Sequence, residues 1–261
     1  MKIIWMILKI GLFAFALMIG MVETNPILKL IFFAVAALLL MSLFRKRKEK
    51  SARNSINRTA PGLSVPHHRW FYVTDFLDSP PDRYVAFDLE TTGLDPRTDH
   101  IIEIGAVYVE HGVIVKSFIQ LVNPGVHIPE GATSVNHITD KMVKKAPRIN
   151  QALAEFAAFV DDVEILAAHN ARFDADFLSV AAAQCGITKN VKYFDTLALA
   201  REAWPNLKNH KLGTVADKAG YSIDNAHRAA ADAEALPYVI EAACKAIRRA
   251  EKRREKAEVV A

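Results

Sequence analysis

Four carboxylates and one imidazole stand out in this chain. They are Asp88 and Glu90 in the run VAFDLETTGLDP, Asp174 in AAHNARFDADFL, and His227 and Asp232 in AHRAAADAEA, spread over 145 positions. Each acid sits in an apolar frame, so the segments are expected to converge on one buried acidic cluster. Like charges held together in a low-dielectric site repel strongly. A fold keeps such a cluster when a cation sits among the carboxylates. Hard divalent ions with oxygen ligands, Mg²⁺ or Mn²⁺, suit it best.

The spacing of these residues constrains the elements that carry them. Asp88 and Glu90 are two apart in an apolar run read as a strand over 84–89, so both side chains leave one face of the sheet. Asp174 falls at or near the start of a helix that follows a strand, where open amides and the helix dipole favour an anion. Asp232 lies inside the last helix. His227 is five residues earlier, about 140° away around a helix axis, so it is placed on the loop or first turn before that helix. Several other polar residues receive plainer readings. Glu103 is read as an outer partner, Asp176 as solvent-facing and Asp195 as a helix cap. His169 and Asn170 are read as hydrogen-bonding residues that shape the site, and His210 as a loop histidine. His67 and His68 adjoin each other but have no partner ligands nearby in the sequence.

The remaining pattern is that of one α/β domain. Stretches 101–109 and 113–122 are rich in strand formers and meet at His111-Gly112, the mark of a hairpin. Strands over 164–168 and 191–194 alternate with helices over 149–160, 175–184, from 196 and over 212–219. A long helix begins at Ala229 and is expected to bend or break at Pro237. Strands in a meander, then strands alternating with helices, imply a mixed sheet with helices on its faces.

Composition bounds the rest. The chain has 261 residues, 51% hydrophobic and 24% charged, which supports a sizeable core and excludes global disorder. Two cysteines, Cys185 and Cys244, with no CxxC pair, give no sign of a zinc site. The net charge of +4 is unevenly placed. Residues 1–58 hold ten Lys/Arg against two Glu, and residues 245–261 hold seven against three, so the middle is acidic.

Residues 3–22 and 27–44 are each apolar over nearly the length that spans a bilayer. Only Glu23, Thr24, Asn25 and Pro26 separate them. The expected organisation is a transmembrane helical hairpin over 1–44 and a basic linker over 45–80. An enzymatic domain over 81–244 and a basic helix or tail over 245–261 complete it. Arg45, Lys46, Arg47 and Lys48 place the domain on the cytoplasmic side of an inner membrane by the positive-inside rule. A cleaved secretory signal and a single span with an interfacial segment are the competing readings.

The motifs FDLETTG, HNARFD and HRAAAD resemble the three motifs of the DEDDh class of 3′–5′ exonucleases. That class has a ribonuclease H-like fold and includes the proofreading epsilon subunit of bacterial DNA polymerase III and ribonuclease T. IIEIGAV, SVNHIT, FDT and HKLGTVA resemble further family stretches, and the likeness runs from about Tyr84 to Ala243. His227 fits the histidine class, because the sister class has Tyr where Arg228 stands. His137 departs from the Gly found in many relatives.

The resemblance implies two Mg²⁺ ions, with Mn²⁺ as the alternative, held by Asp88, Glu90, Asp174 and Asp232, and His227 as general base. It implies stepwise release of nucleoside 5′-monophosphates from 3′ ends. Thr91, Thr92, Gly93 and Leu94, with His169, Asn170 and Phe173, would hold the terminal nucleotide. Single-stranded DNA is the favoured substrate and RNA the alternative. Protein partners or a homodimer are compatible with the pattern. A nucleic-acid-binding module without catalysis, and a membrane-tethered scaffold with weak or partner-dependent activity, are the competing functions.

Overall fold

The computed structural model describes residues 68–224 and 227–260. In chain order the strands are β1 (Arg69–Phe71), β2 (Arg83–Thr91), β3 (Ile101–Glu110), β4 (Val113–Leu121), β5 (Ile165–Ala168) and β6 (Lys192–Asp195). The helices are α1 (Val73–Asp78), α2 (Glu130–Asn136), α3 (Asp140–Val143), α4 (Ile149–Phe159), α5 (Arg172–Gln184), α6 (Thr196–Ala203), α7 (Leu212–Ala219) and α8 (Ala229–Val260). The sheet order is β1-β6-β5-β2-β3-β4. β2 pairs antiparallel with β3 and parallel with β5, and β3 pairs antiparallel with β4. β5 and β1 both run parallel to β6. The mixed α/β sheet expected from the element pattern is therefore present.

Alternation along β2 separates two cores. Val85, Phe87 and Leu89 join the cluster built with α4 and α5, which includes Phe156, Phe177 and Leu178. Tyr84 and Ala86 join the opposite cluster, where Leu236, Ile240, Ala243 and Ile247 of α8 cover the sheet. Successive side chains on a strand point to opposite faces. Asp88 and Glu90 continue the Tyr84 and Ala86 series, so they leave β2 on the α8 face at the strand's C-terminal end.

The β3–β4 hairpin closes through His111 (φ 50°) and Gly112 (φ 79°). Two successive positive-φ residues are what a tight two-residue hairpin of matching twist requires. Midway along β3, Gly105 pairs across the sheet with Asp88. A β-carbon on Gly105 would lie 2.1 Å from the carbonyl carbon of Ala229 and 2.3 Å from the amide nitrogen of Ala230. The missing side chain lets the first turn of α8 rest directly on the sheet, which brings Asp232 over Asp88. Gly105→Val is expected to destabilise the protein by about 3 kcal/mol, the upper end of overpacking costs, because the obstructing atoms are backbone. Urea unfolding measures it; a change below about 0.5 kcal/mol would show that α8 shifts freely.

Three readings are corrected. The stretch over 45–80 read as a linker holds β1 and α1 at its C-terminal end. Trp70 and Phe71 pair in register with Tyr193 and Phe194, and Phe76 stacks on Phe194 at 4.4 Å between centroids. The polar residues up to His68 set the linker reading, whereas RWFYVTDFLD is rich in apolar and aromatic residues that pack against β6. Pro237 does not interrupt α8, which is one helix of 32 residues. Ala233, Leu236, Val239 and Ile240 around it are buried against the sheet and the α6–α7 layer, and that packing offsets the lost hydrogen bond. The basic segment from residue 245, expected as a helix or tail, is the continuation of this helix. α5 also begins three residues earlier than its periodicity indicates.

Among the described residues no helix is long and apolar enough to cross a membrane. The hairpin expected at 3–22 and 27–44, and the linker up to residue 67, lie outside the described residues.

Candidate active site

The two ends of the acidic constellation come from β2 and α8. Asp88, Glu90 and Asp232 each offer a carboxylate oxygen, and these oxygens lie within 4.8 Å of one another. Asp174 stands in the first turn of α5, where it is buried. Its Oδ1 accepts a hydrogen bond of 3.1 Å from the amide of Leu89, between the two β2 acids. The position expected for Asp174 at a helix start following a strand is the one observed.

Burial, followed by the charges of Asp174, Asp232, Glu90 and Glu103, holds the Asp88 carboxyl well above the usual carboxylate range. Glu90 is pushed up to about 8, by burial and then by Asp232 and Glu103, partly offset by a hydrogen bond from Asn136. Burial raises Asp174 as well, against the Leu89 amide, and raises Asp232 against the His227 amide. Four carboxyl groups thus resist ionisation in the protein alone. Clustered oxygen donors that repel one another fit a hard divalent cation, which restores the ionised form.

His227 lies just before α8 with φ 65°, and its backbone N–H donates to Asp232 Oδ2 at 3.3 Å. Its side chain is exposed. It is on the loop, as the angular argument requires, next to the acids and open to solvent.

Glu103 explains how that loop is held. It is fully buried on the α8 face of β3, opposite Glu90. Its carboxylate accepts 3.0 Å bonds from Arg228 Nε and from the Ala229 amide, and one of 2.5 Å from Arg228 Nη2. This two-pronged pair fixes the residue next to His227 and satisfies an open amide at the start of α8. The outer-partner reading of Glu103 stands. Sequence reading missed its partner, Arg228. Glu103→Ala should cost about 3 kcal/mol, since removing one member of a buried pair strands the other. It should lower turnover by at least about tenfold. Wild-type turnover in a folded variant would show that the pair does not hold His227.

Asn136 was also missed. It is buried, its Oδ1 accepts from the Ile138 amide at 3.1 Å, and its Nδ2 reaches the Thr91 carbonyl at 3.4 Å. The same side chain hydrogen-bonds Glu90. Nothing within SVNHIT marks this Asn as buried, and its neighbour His137 (φ 60°) ends α2 in a left-handed turn.

The loop after Glu90 is ordered by its own polar groups. Thr91 Oγ1 donates to the Gly93 carbonyl at 2.6 Å, and the His100 amide donates to Thr92 Oγ1 at 2.9 Å. Asp99 accepts from the Asp95 amide at 2.9 Å. A β-carbon on Gly93 would lie 2.5 Å from the Asp99 carboxylate. Thr91 and Thr92 are buried, whereas Leu94 is 84% exposed beside the acids.

The remaining candidates have partners of their own. His169 Nε2 donates to the His210 carbonyl at 2.8 Å, and Nδ1 meets Thr196 Oγ1 at 3.0 Å. Both ring nitrogens are engaged within the protein, and burial holds the imidazole below its usual range. Asn170 is exposed with φ 62°, and Phe173 packs on Phe177 at 4.9 Å. Asp195 accepts from the amides of Asn170, Ala171 and Leu197, so it caps α6 as expected and ties β6 to the start of α5. His210 serves as a loop residue, its Nε2 donating to the Trp204 carbonyl at 3.0 Å. Asp176 is not solvent-facing: it pairs with His68 at 2.6 Å and with Arg172 at 3.6 Å. His68 packs edge-on against Tyr193 and Trp70, so it is a bracing residue of the β1 edge.

A family model for exonucleases, of the ribonuclease T type, matches residues 85–240. The chain belongs to this exonuclease family. It is an enzyme of the DEDDh type, a class that depends on divalent metal. The PolC-type DNA polymerase III of Clostridium perfringens is 43% identical over 159 residues, covering 61% of this chain and 11% of that one. The PolC-type enzyme of Bacillus subtilis is 40% identical over 163 residues, with the same two coverages. The chain therefore spans about a tenth of the length of these curated relatives. Two solved structures share the ribonuclease H-like exonuclease fold at low identity. The Escherichia coli ExoI–ssDNA complex superposes with TM-score 0.53 at 18% identity, covering 60% of this chain and 39% of that one. The nuclease domain of 3′hExo, a DEDDh family member bound to rAMP, superposes at 0.52 with 19% identity, covering 61% and 90%.

Proposed function

We propose that this exonuclease removes nucleotides from the 3′ ends of single-stranded nucleic acid, DNA in preference to RNA, and releases nucleoside 5′-monophosphates. The observation that carries the reading is the convergence of Asp88, Glu90 and Asp232 oxygens within 4.8 Å, beside Asp174 and a solvent-open His227. Asp88, Glu90, Asp174 and Asp232 would hold two Mg²⁺ or Mn²⁺ ions. When bound, such ions neutralise the scissile phosphate, orient it and acidify the attacking water. The His227 imidazole accepts the proton of that water at a ring nitrogen. Arg228 and Glu103 hold its loop. The ordered Thr91–Thr92–Gly93 backbone and exposed Leu94 receive the terminal sugar and base.

The preference for single strands rests on charge. Residues 59–244 carry more acids than bases, whereas sequence-independent duplex binding relies on many Lys/Arg–phosphate contacts. A short 3′ end would be held mainly by the metal ions and by stacking. The PolC relatives favour DNA and a polymerase partner. The test is degradation of 5′-labelled DNA and RNA of one sequence, with Mg²⁺, Mn²⁺ or EDTA. A metal-dependent ladder shortening from the 3′ end supports the reading, and cleavage from the 5′ end or within the strand would overturn it.

The sequence also supports an inner-membrane anchor at 3–22 and 27–44, with the catalytic domain in the cytoplasm. Reporter fusions near Thr24 and after Lys50 test this; an extracytoplasmic signal from the second would exclude it.

A further inference from the structure

The last part of α8 leaves the domain. Ile247 is its final buried residue, and every residue from Arg248 to Glu258 is exposed. The root is braced where Arg248 Nη2 donates to the Leu77 carbonyl of α1 at 3.3 Å. Beyond it the helix carries no apolar residue larger than alanine up to Glu258. Such a helix has no packing to stabilise it, so its composition calls for another explanation.

Its charges are sorted by face. At 100° per residue, Lys245, Arg248, Arg249, Lys252, Arg253 and Lys256 fall within an arc of about 140°. Glu251, Glu255 and Glu258 fall within about 60° on one flank of that arc, and Arg254 lies about 100° beyond its other end. Lys245 to Lys256 spans about 16 Å of axis. The cationic arc continues the solvent face of α8, opposite the face that Leu236, Ile240 and Ala243 bury on the sheet. A helix dipole favours cations only in the last turn, and it does not sort them around the axis. A face for a lipid bilayer would need large apolar side chains beside the cations, and there are none. Three of the six are arginines, whose planar forks match phosphate oxygens.

We propose that this outward face of α8 binds the phosphodiester backbone of a nucleic acid at a distance from the 3′ end being cut. The proposal rests on the exonuclease reading for its substrate class. The acidic body repels a polyanion, while the stripe offers it one cationic rail. Long strands would then be held by two separated elements, and a short oligonucleotide only at the catalytic end, through the divalent ions that the acids would bind.

The test uses the full chain in neutral detergent, in EDTA so that nothing is cut. Binding of a 40-nucleotide single strand is followed by fluorescence anisotropy across a salt series. The Arg249→Gln, Lys252→Gln, Arg253→Gln, Lys256→Gln variant is expected to lower the salt slope by about 3 and the affinity by at least about tenfold. Its hydrolysis of a trinucleotide with Mn²⁺ should stay within about twofold of wild type. Glu251→Gln, Glu258→Gln, outside the cationic arc, should leave the slope unchanged. An unchanged slope in the quadruple variant overturns the proposal. So does an equal and opposite response to the glutamate changes, which would mean that net charge alone is read. So does loss of binding to phosphatidylserine vesicles with oligonucleotide binding intact. Failure of wild type to cut the trinucleotide would instead count against the exonuclease reading, since the salt slope is measured without catalysis.

Discussion

Asp88→Ala is expected to abolish hydrolysis while leaving the fold in place. Asp88 shares its site with Glu90, Asp174 and Asp232, so its removal takes the central acid from the cluster. The loss should exceed the roughly 10–100-fold that follows removal of even an outer partner of a metal ligand. The same change should stabilise the metal-free protein at neutral pH. The folded-state carboxyls lie above their unfolded values, most clearly Asp88 in direction and Glu90 at about 8. The folded state therefore binds more protons than the unfolded one. Stability must fall as pH rises from the unfolded carboxylate range near 4 towards 8, with the destabilisation complete above the folded value. Thermal melts in EDTA between pH 4 and 8 should show this decline in wild type and a shallower one in Asp88→Ala. Mg²⁺ or Mn²⁺ should flatten the wild-type curve only. Near-wild-type turnover of Asp88→Ala, or a metal-free melt that does not depend on pH, would sink the assignment.

His227→Ala is expected to lower turnover by about 10²–10⁴-fold, the usual share of a general base. The acidic limb of the pH–rate profile should go with it, because a protonated imidazole cannot take the water's proton. His227 adopts φ 65°, which alanine tolerates poorly, so His227→Asn is the cleaner partner variant: Asn accepts the left-handed region. Both variants should keep metal affinity by titration calorimetry, since His227 is not among the clustered ligands. A kept acidic limb would remove His227 from the base role. A lost metal affinity would make it a ligand.

Much of the site was legible because its chemistry is written in short segments. Asp88 and Glu90 needed only strand alternation to share a face, Asp174 only a strand followed by a helix start, and His227 only the angle to Asp232. The buried Asn136 and the Glu103–Arg228 pair were not legible. Asn136 is 46 positions from Glu90 and Arg228 is 125 from Glu103, and nothing local distinguishes such polar residues from solvated ones. β1 was hidden in the same way. Three residues next to a polar stretch become a strand because β6 offers an edge, and Phe71 meets the Phe194 ring edge-on.

The sequence by itself determined the reactive groups, the alternation that assigns them to one end of β2 and the segregation of charge along the chain, because these depend on residue type and on periods of 2 and 3.6. The tertiary structure decided which groups meet. Gly105 lets α8 touch the sheet, so a carboxylate 144 positions from Asp88 joins it. The end of α8 runs past its last buried residue, so six of the seven basic residues of segment 245–261 share one face of a single helix. Both outcomes depend on how closely and how far one helix lies along a sheet, and contact distances of that kind are set by packing between elements remote in sequence.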